Sequence, residues 1–307
     1  MSQSPLPRTP RHRIDGILLL AKSVGLSSNA ALQRARGLFG AAKAGHAGTL
    51  DPLASGLLPV CFGEATKFAQ VLLDASKRYR ATIRFGAATT TGDAEGEVTM
   101  RSPVAFDRAS LESAVSAMLG RIAQVPPAYA ALKRDGRAYY DYARAGIAIE
   151  RTAREVEIHA IAVVDWSPPD AVVDIECSKG TYVRVLAEDL GLALGSCAHL
   201  AGLCRTASAG FSLDDAVDLA ALEAMDASER LRRLLPVDAG LQSIQATQLS
   251  AGQAQALLHG QRPPTDLPAG RYRGYAPDRF VGLVESAGGE LVALRLIGTA
   301  PATEGGP

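Results

Sequence analysis

The chain has 307 residues, 47% of them hydrophobic, which is enough for one large domain and one small one. Its 32 basic and 32 acidic residues give no formal net charge, which argues against indiscriminate coating of nucleic acid but permits a local basic face. No segment resembles a secretory signal or approaches the roughly 18 apolar residues of a membrane span, so we expect a cytoplasmic protein without a membrane partner. The four cysteines lack metal-ligand spacing, and we expect reduced, mostly buried thiols and no metal site.

The N-terminal part of the sequence predicts a tail, a strand and a helix. Residues 1–13 alternate prolines with polar and basic residues and show no period, so we expect a disordered tail. A strand is predicted over 14–21. The next apolar residues recur at helical spacing between Ser27 or Ser28, which are good N-terminal caps, and Gly40, which favours a helix end.

The following segment changes period. Residues 65–73 carry apolar side chains at helical spacing, whereas from Tyr79 to Phe85 apolar and polar residues alternate. This change predicts a helix followed by a half-exposed strand. A further helix is predicted from a cap at Ser110 to a stop at Gly120.

Residues 124–152 are rich in tyrosine, arginine and proline. Aromatic rings stack on bases while cationic groups meet phosphates, so this composition suits a nucleic-acid clamp. A solvated helix with a tyrosine face explains the same segment and would be preferred if it stood alone.

The rest of the chain mixes strands and helices without strict alternation. Strands are predicted around 156–158 and 173–177, then a helix from Val183 to Leu190 and a charged helical stretch over 214–235. The order predicts the α+β class. From 248 to 300 a short helix and a hairpin turning at Ala287-Gly288-Gly289 predict a small β-rich unit, and 301–307 a disordered tail.

The segment 45–56 is the candidate for chemistry. It holds three glycines, His46 and Asp51 within twelve residues, which indicates a loop in a defined backbone conformation. An aspartate before a proline commonly caps a turn, and a histidine in such a loop is often simply packed. These residues alone favour structural over catalytic roles by about two to one.

Four motifs in order alter that balance, because together they closely resemble those of the TruB-type pseudouridine synthases. The segment 45–56 is similar to the family's catalytic motif, in which the aspartate before proline is the nucleophile. The other three are similar to a Lys-Arg-Tyr strand, a strand-to-helix segment and the last core motif: Lys77-Arg78-Tyr79-Arg80, residues 177–184, and residues 198–211.

The resemblance implies a domain arrangement. It predicts a pseudouridine synthase fold over 14–247, with a mixed, largely antiparallel sheet flanked by helices and an RNA-gripping insertion at 124–152. The segment 248–300 would be a PUA-like RNA-binding domain. Two departures are visible: Ser23 follows Lys22 where the family usually has proline, and Cys204 stands where arginine is common.

The resemblance also implies a reaction. A tRNA pseudouridine synthase of this type isomerises uridine 55 in the TΨC arm, an intramolecular transfer that is redox-neutral and needs no cofactor. Asp51 would be the nucleophile, since an aspartate with an ordinary pKa of about 3.9 is already ionised at neutral pH. Arg184 would pair with it through two hydrogen bonds, and Tyr79 would stack on the target base and handle a proton.

Further residues take substrate-binding roles by the same likeness. Tyr182 and Leu203 would wall the pocket, and His46 would fill the space left when the uridine is extruded from the tRNA arm. Phosphate contacts would come from Lys22, Lys43, Lys67, Arg78 and Arg80.

Three other functions stay open from the sequence. The first is a tRNA-binding or tRNA-folding protein without turnover, which would not need Asp51, Tyr79, Tyr182 and Arg184 together. The second is the guide-RNA-dependent branch of the superfamily, against which the short N-terminal tail and the lack of lysine-rich extensions argue. The third, a hydrolase using Asp51, leaves the other motifs unexplained. We expect a monomer that binds the T stem-loop of tRNA without an obligate protein partner.

Overall fold

The computed structural model describes residues 11–130, 132–134 and 136–298. The predicted tail over 301–307 and most of the one over 1–13 lie outside these ranges. Residue 12 differs from the prediction, because its N–H donates to the Gly40 carbonyl and its carbonyl accepts from the Ala42 N–H, both at 2.8 Å. His12 is therefore anchored to the end of the first helix.

The described chain forms eighteen strands, eight α-helices and three short 3-10 segments. The 3-10 segments are Gly63–Phe68, Leu213–Asp215 and Ala239–Leu241. In chain order the other elements are β1 (Gly16–Lys22), α1 (Ser28–Phe39), β2 (Ala44–His46), β3 (Ala54–Phe62), α2 (Ala69–Asp74), β4 (Lys77–Phe85), β5 (Ala87–Thr89), β6 (Val98–Arg101), α3 (Arg108–Ser116), β7 (Gly120–Gln124), β8 (Lys133–Arg134), β9 (Arg137–Ala138), α4 (Tyr139–Arg144), β10 (Arg154–Ser167), β11 (Asp170–Cys177), α5 (Val183–Ala193), β12 (Ala198–Ser208), β13 (Phe211–Ser212), β14 (Val217–Asp218), α6 (Leu219–Ala224), α7 (Ala227–Arg232), β15 (Ala246–Gln248), α8 (Ala251–Leu258), β16 (Gly270–Ala276), β17 (Arg279–Ala287) and β18 (Glu290–Leu296).

A ten-stranded mixed sheet is the centre of the molecule. Its strands run in the order β14-β1-β3-β12-β4-β11-β10-β7, with β2 and β13 paired at its sides. Only the β1–β14 and β3–β12 pairs of this sheet are parallel. The predicted α+β class and the mixed, largely antiparallel sheet are confirmed.

The two faces of β4 have different surroundings. Alternate residues from Ala81 to Phe85 are buried in an apolar core with α3 and α5, and Tyr79 packs at its edge. The residues between them, Arg78 and Arg80 among them, lie on the opposite, exposed face. The period of two therefore separates Tyr79 from its arginine neighbours.

Most of the predicted helix and strand positions are confirmed, and the deviations have local causes. Helix α1 starts after Ser27, whose side chain accepts from the Ala30 N–H, and ends at Gly40 with a positive φ of 61°. Helix α3 is capped by Asp107 rather than Ser110, because the Asp107 carboxylate accepts from the Ser110 N–H. It ends at Ser116, before the predicted stop at Gly120, since Gly120 already begins β7.

The C-terminal unit is a four-stranded sheet in the order β15-β16-β17-β18 with α8 packed on it, and the predicted hairpin between β17 and β18 is confirmed. Its first strand starts at Ala246, just before the predicted boundary at 248. The unit is small and β-rich, as a PUA-like domain is. Phe280 and Leu283 also join Phe68 and Leu72 in a shared apolar cluster, so the unit leans on the main sheet.

The insertion over 124–152 contains the β8–β9 hairpin and α4. The guanidinium of Arg137 lies 4.6 Å from the ring centre of Tyr142, and that of Arg144 lies 5.5 Å from the ring centre of Tyr140. Tyr140 and the two arginines are exposed and Tyr142 is half-buried, an arrangement that fits a nucleic-acid clamp and a solvated tyrosine face equally well. Within the described residues no helix is long and apolar enough to cross a membrane.

Candidate active site

The loop that carries Asp51 connects β2 to β3 and is held by hydrogen bonds to the start of α1 and within the loop itself. The Ser28 hydroxyl donates to the Leu50 carbonyl at 2.9 Å and accepts from the Leu50 N–H at 2.7 Å. Further along, the Ala54 N–H donates to the Asp51 carbonyl at 3.0 Å. Because backbone groups on both sides of Asp51 are held, its side chain projects from a defined position.

Arg184 lies between two carboxylates. Its Nη2 is 3.1 Å from Oδ2 of Asp51, and its Nη1 is 3.5 Å from Oδ2 of Asp93. The guanidinium also donates to the carbonyls of Thr91 at 3.2 Å and Tyr129 at 2.9 Å. These acceptors occupy its donors, so the contact with Asp51 is one close ion pair and not the two-bond clamp predicted from the sequence.

The charges around Asp51 act in opposite directions. Partial burial raises the pKa of Asp51, the guanidinium of Arg184 lowers it, the carboxylate of Asp93 raises it and the ammonium of Lys22 lowers it, with burial dominant. The Asp51 side chain keeps 47% of its surface exposed, whereas that of Arg184 keeps 7%. The pair is thus a buried cation that aims an accessible carboxylate.

Asp51 opens into a cavity of about 380 Å³, within the range of sites for small organic groups. Several parts of the main sheet domain meet there, among them the motif loop, the start of β4, the start of β10, the turn that leads into α5, and β12. The residues that bear on its chemistry are Asp51, Lys77, Tyr79, Arg154, Tyr182, Arg184, Leu203 and Arg205.

Tyr182 and Leu203, the residues expected to wall the pocket, line the cavity, and Tyr79 lines it as well. Burial raises the pKa of Tyr79 and, in the same way, that of Tyr182, so both hydroxyls stay protonated at neutral pH. The backbone of Tyr182 is held by the buried amide of Gln124, which accepts from the Tyr182 N–H at 3.0 Å and donates to its carbonyl at 3.3 Å. Leu203 on β12 supplies apolar surface.

His46 ends β2 opposite Val60 and lies outside the cavity lining. Burial lowers its pKa, and the nearby Arg205 lowers it further, so the ring is neutral at pH 7. Its Nδ1 is buried and has no hydrogen-bond partner among the described residues. A neutral, half-buried ring suits the predicted stacking role.

Several predicted phosphate contacts differ from the observed positions. Lys22 is 2% exposed and its ammonium donates to the carbonyls of Ser23 at 3.0 Å and Leu26 at 2.6 Å, so it has no path to a phosphate. Lys67 donates to Glu64 at 2.7 Å and to the Leu296 carbonyl at 2.9 Å, which ties the main domain to β18.

The two arginines of β4 that were predicted to meet phosphates are engaged on the far face of the sheet. Arg80 makes two hydrogen bonds of 2.8 Å with Asp174, and Arg78 makes one of 2.8 Å with Glu176. Strand alternation places both opposite to Tyr79. Lys43 is exposed near His46 and keeps its predicted role as a proposal.

Arg205 is a positioning residue whose role the sequence did not predict. It is 1% exposed, and its guanidinium donates to the carbonyls of Leu57 at 2.7 Å and Gly48 at 3.2 Å. Its backbone pairs with that of Tyr79 on β4 and with that of Gly56 on β3. One buried side chain therefore links the motif loop to the strand that bears Tyr79; its place in the last core motif was the available signal.

Lys77 and Asp93 are two further buried charged residues to which the sequence assigned no role, although Lys77 opens one of the family motifs. The Lys77 ammonium donates to the carbonyls of Leu72, Leu73 and Ala75 at the end of α2, and burial lowers its pKa to about 8. Asp93 is 3% exposed and accepts hydrogen bonds from the Thr91 hydroxyl and the Glu95 N–H. Lys77 lines the cavity, and Asp93 is linked to it through its ion pair with Arg184.

Comparison with known proteins identifies the family. The model of the TruB family pseudouridylate synthase N-terminal domain matches residues 36–183, and that of the tRNA pseudouridylate synthase B C-terminal domain matches residues 184–242. The point where the two models meet lies at the start of α5, within one continuous fold.

Curated relatives and solved structures agree with these matches. A tRNA pseudouridine synthase B of Burkholderia mallei is 52% identical and covers 96% of this chain and 98% of its own length. One from Cupriavidus taiwanensis is 51% identical, with 95% and 96% covered. A crystal structure of a Cbf5-Nop10-Gar1 complex has a chain 24% identical, with a TM-score of 0.68 over 88% of this chain and 78% of that one, which shows a shared fold. The chain belongs to the TruB family of pseudouridine synthases.

Proposed function

We propose that this chain converts uridine 55 in the TΨC arm of tRNA to pseudouridine, with Asp51 as the nucleophile. The observation that carries the proposal is the accessible Asp51 carboxylate, 3.1 Å from the buried Arg184 guanidinium, at a cavity of about 380 Å³. The relatives that share half of its sequence are named tRNA pseudouridine synthase B, which supports tRNA as the substrate.

The reaction exchanges one bond of the uridine for another. The bond from ribose C1′ to uracil N1 breaks, the bond from C1′ to C5 forms, C5 loses its proton and N1 gains one. Nothing is oxidised or reduced, so a nucleophile and groups that move protons suffice. Ionised Asp51 supplies the nucleophile: it would bond transiently to the uracil ring or to ribose C1′, and that bond breaks again before the product leaves. The Arg184 charge lowers the pKa of Asp51, against burial, which raises it.

The cavity walls would hold the base during this exchange. An extruded uracil placed beside Asp51 would stack on the Tyr79 ring and meet the apolar side chain of Leu203. Tyr79 is protonated at neutral pH because burial raises its pKa, so its hydroxyl can donate a hydrogen bond to the base and relay a proton. Tyr182 would close the opposite side.

Outside the cavity, neutral His46 would stack in the gap that the extruded uridine leaves, and Lys43 would contact the backbone nearby. The insertion over 124–152, with its exposed tyrosine and arginine pairs, would grip the T stem-loop, and the C-terminal unit would extend the RNA contact. In this proposal the chain acts alone, as a cytoplasmic monomer.

Two rival functions are distinguishable. A tRNA-folding protein without turnover would not need a carboxylate aimed into a cavity by a buried arginine. The other rival is the guide-RNA-dependent branch; the fold neighbours, such as an H/ACA RNP bound to a substrate RNA at 21% identity, share the fold and carry no argument for it. The 52% identical relatives are named for tRNA, which favours a tRNA enzyme over this branch.

The test uses the purified chain alone and an unmodified tRNA transcript, with pseudouridine located by chemical mapping. We expect conversion at uridine 55 and none in a matched transcript that carries cytidine there. Binding without conversion would support the folding protein, conversion at another site would refute the assigned position, and conversion only after adding a guide RNA and partner proteins would support the guided branch.

A further inference from the structure

Four cationic side chains line the cavity, and three of them are already engaged. Lys77 and Arg205 are 7% and 1% exposed and donate to backbone carbonyls, and Arg184 pairs with Asp51 and Asp93. The fourth, Arg154, is partly exposed. In the described ranges no carboxylate comes within 4.0 Å of its guanidinium.

Tyr182 and Gly180 hold Arg154 in place. The guanidinium carbon lies 4.6 Å from the ring centre of Tyr182, a stacking distance for a cation over an aromatic face. Its Nη2 donates to the Gly180 carbonyl, whereas its Nε is buried and has no acceptor among the described residues. A β-carbon at position 180 would lie 3.3 Å from this guanidinium, so glycine at that position leaves room for it.

Arg154 lies between the insertion over 124–152 and the cavity that contains Asp51. Arg154 begins β10 and pairs with Gln124 at the end of β7, so it stands at the base of the insertion over 124–152. Gln124 in turn holds the backbone of Tyr182. An RNA strand gripped by the insertion and threaded towards Asp51 would cross this point.

We propose that Arg154 binds the phosphodiester group adjoining the extruded uridine, a contact that rests on the proposed function. A nucleotide that enters the cavity brings at least one backbone phosphate to its rim, and that charge needs a partner once water is displaced. Of the guanidinium's nitrogens, Nη1 has no acceptor among the described residues and Nε is buried without one, so the Nη1 edge is the part that can meet a phosphate. The Tyr182 ring beneath it limits its freedom, so little entropy is lost on binding.

A purely structural role for Arg154 would also make it sensitive to substitution, so the experiment must identify the phosphate. It uses T-arm hairpins in which one phosphodiester at a time around the target uridine is replaced by an uncharged methylphosphonate. Binding and single-turnover conversion are measured for wild type, Arg154→Gln and, as the control, Arg121→Gln. Arg121 lies on the neighbouring β7 with 72% of its side chain exposed.

For Arg154→Gln we expect about tenfold weaker binding of the hairpin. The slope of the logarithm of the binding constant against the logarithm of salt concentration should fall by about one, the share of a single phosphate contact. The conversion rate at saturating RNA should stay near that of wild type. Arg121→Gln should behave as wild type. One methylphosphonate next to the target should weaken wild-type binding about tenfold, yet weaken Arg154→Gln no further.

The proposal would be overturned if each methylphosphonate weakened the binding of wild type and of Arg154→Gln by the same factor at every position. It would also be overturned if Arg154→Gln bound RNA as tightly as wild type, or lost only conversion rate. Failure of the proposed function is separable, because wild type would then convert no hairpin at all. A variant that does not fold would be recognised by its circular dichroism, and Arg154→Lys then serves instead. Lysine keeps the positive charge but cannot stack flat on the Tyr182 ring. Arg154→Lys should therefore bind RNA more weakly than wild type while its binding depends on salt concentration as in wild type.

Discussion

Arg184 serves two carboxylates at once, and this shapes how Asp51 titrates. Asp93 lies 3.5 Å from the same guanidinium that contacts Asp51, and its negative charge raises the pKa of Asp51. The arginine lowers that pKa. Asp93 therefore orients the cation while making the nucleophile easier to protonate.

Replacing Asp93 by asparagine should move the acid side of the rate profile to lower pH. Removing the negative charge lowers the pKa of Asp51, so the ionised nucleophile persists in more acidic solution. Arg184→Gln should move the acid limb to higher pH, because the charge that lowers the pKa is lost. The measurement is the single-turnover rate against pH, with Asp174→Asn on the far face of the sheet as the control. Both variants moving in one direction would contradict this account.

For single residues, the sequence predicted which side chains lie at the site better than it predicted their burial and their contacts. The pairing of Asp51 with Arg184 followed from the family motifs, and the two groups lie 3.1 Å apart. Lys22 and Arg80 were expected at phosphates, but burial and strand alternation direct them elsewhere. The burial of Lys22 depends on neighbouring strands and not on local sequence, whereas the alternation that turns Arg80 away from Tyr79 is visible in the sequence itself.

The parallel pairing of β3 with β12 sets the position of the loop between β2 and β3, which carries Asp51. Gly56 pairs with Arg205 there and has a φ of +105°. A β-carbon at Gly56 would lie 2.4 Å from the Arg205 carbonyl oxygen. The close approach of the two strands therefore requires glycine.

Gly56→Ala should be much more destabilising than Gly25→Ala. Gly25 also has a positive φ, +86°, but a β-carbon there would meet nothing within 4 Å. Backbone strain alone should cost about 1–2 kcal/mol at Gly25, whereas Gly56 adds the clash and should cost about 3 kcal/mol or more. Urea unfolding of both variants measures the difference, and equal losses would show that the strands can separate freely.

The elements that were predicted correctly have strong local signals. Helix α1 has a serine cap and a terminal glycine, and the β17–β18 hairpin has two glycines at its turn. The cap of α3 was misassigned because Asp107 and Ser110 are both good caps by type. Strand β15 was missed because its residues are paired only through β16, some 25 residues later.

Across the whole molecule, the C-terminal unit shares its packing with the main domain. The rings of Phe68 and Phe280 lie 5.6 Å apart across the contact. The Tyr275 hydroxyl donates to Asp238, and Arg273 donates to the Ile244 carbonyl at 2.8 Å. Apolar and polar contacts together should make the two parts unfold as one.

Thermal unfolding should therefore show a single transition. The chain has one tryptophan, Trp166 on β10, so its fluorescence reports on the main sheet, whereas far-ultraviolet circular dichroism reports on both parts. We expect coincident midpoints in the wild type. Phe280→Ala should lower stability by about 2 kcal/mol, while Leu192→Ala, at a side chain 68% exposed, should change it little. Separate midpoints for the two signals in wild type would contradict a shared core.

The central claim, that Asp51 performs the chemistry, is tested most directly by comparing wild type with Asp51→Asn on an unmodified tRNA transcript. Conversion at uridine 55 and tRNA binding are both measured, and Asp174→Asn on the opposite face of the sheet serves as the matched control. We expect Asp51→Asn to bind tRNA with affinity close to wild type and to form no pseudouridine, while the control converts normally. Pseudouridine formation by Asp51→Asn at the wild-type rate would contradict the central claim.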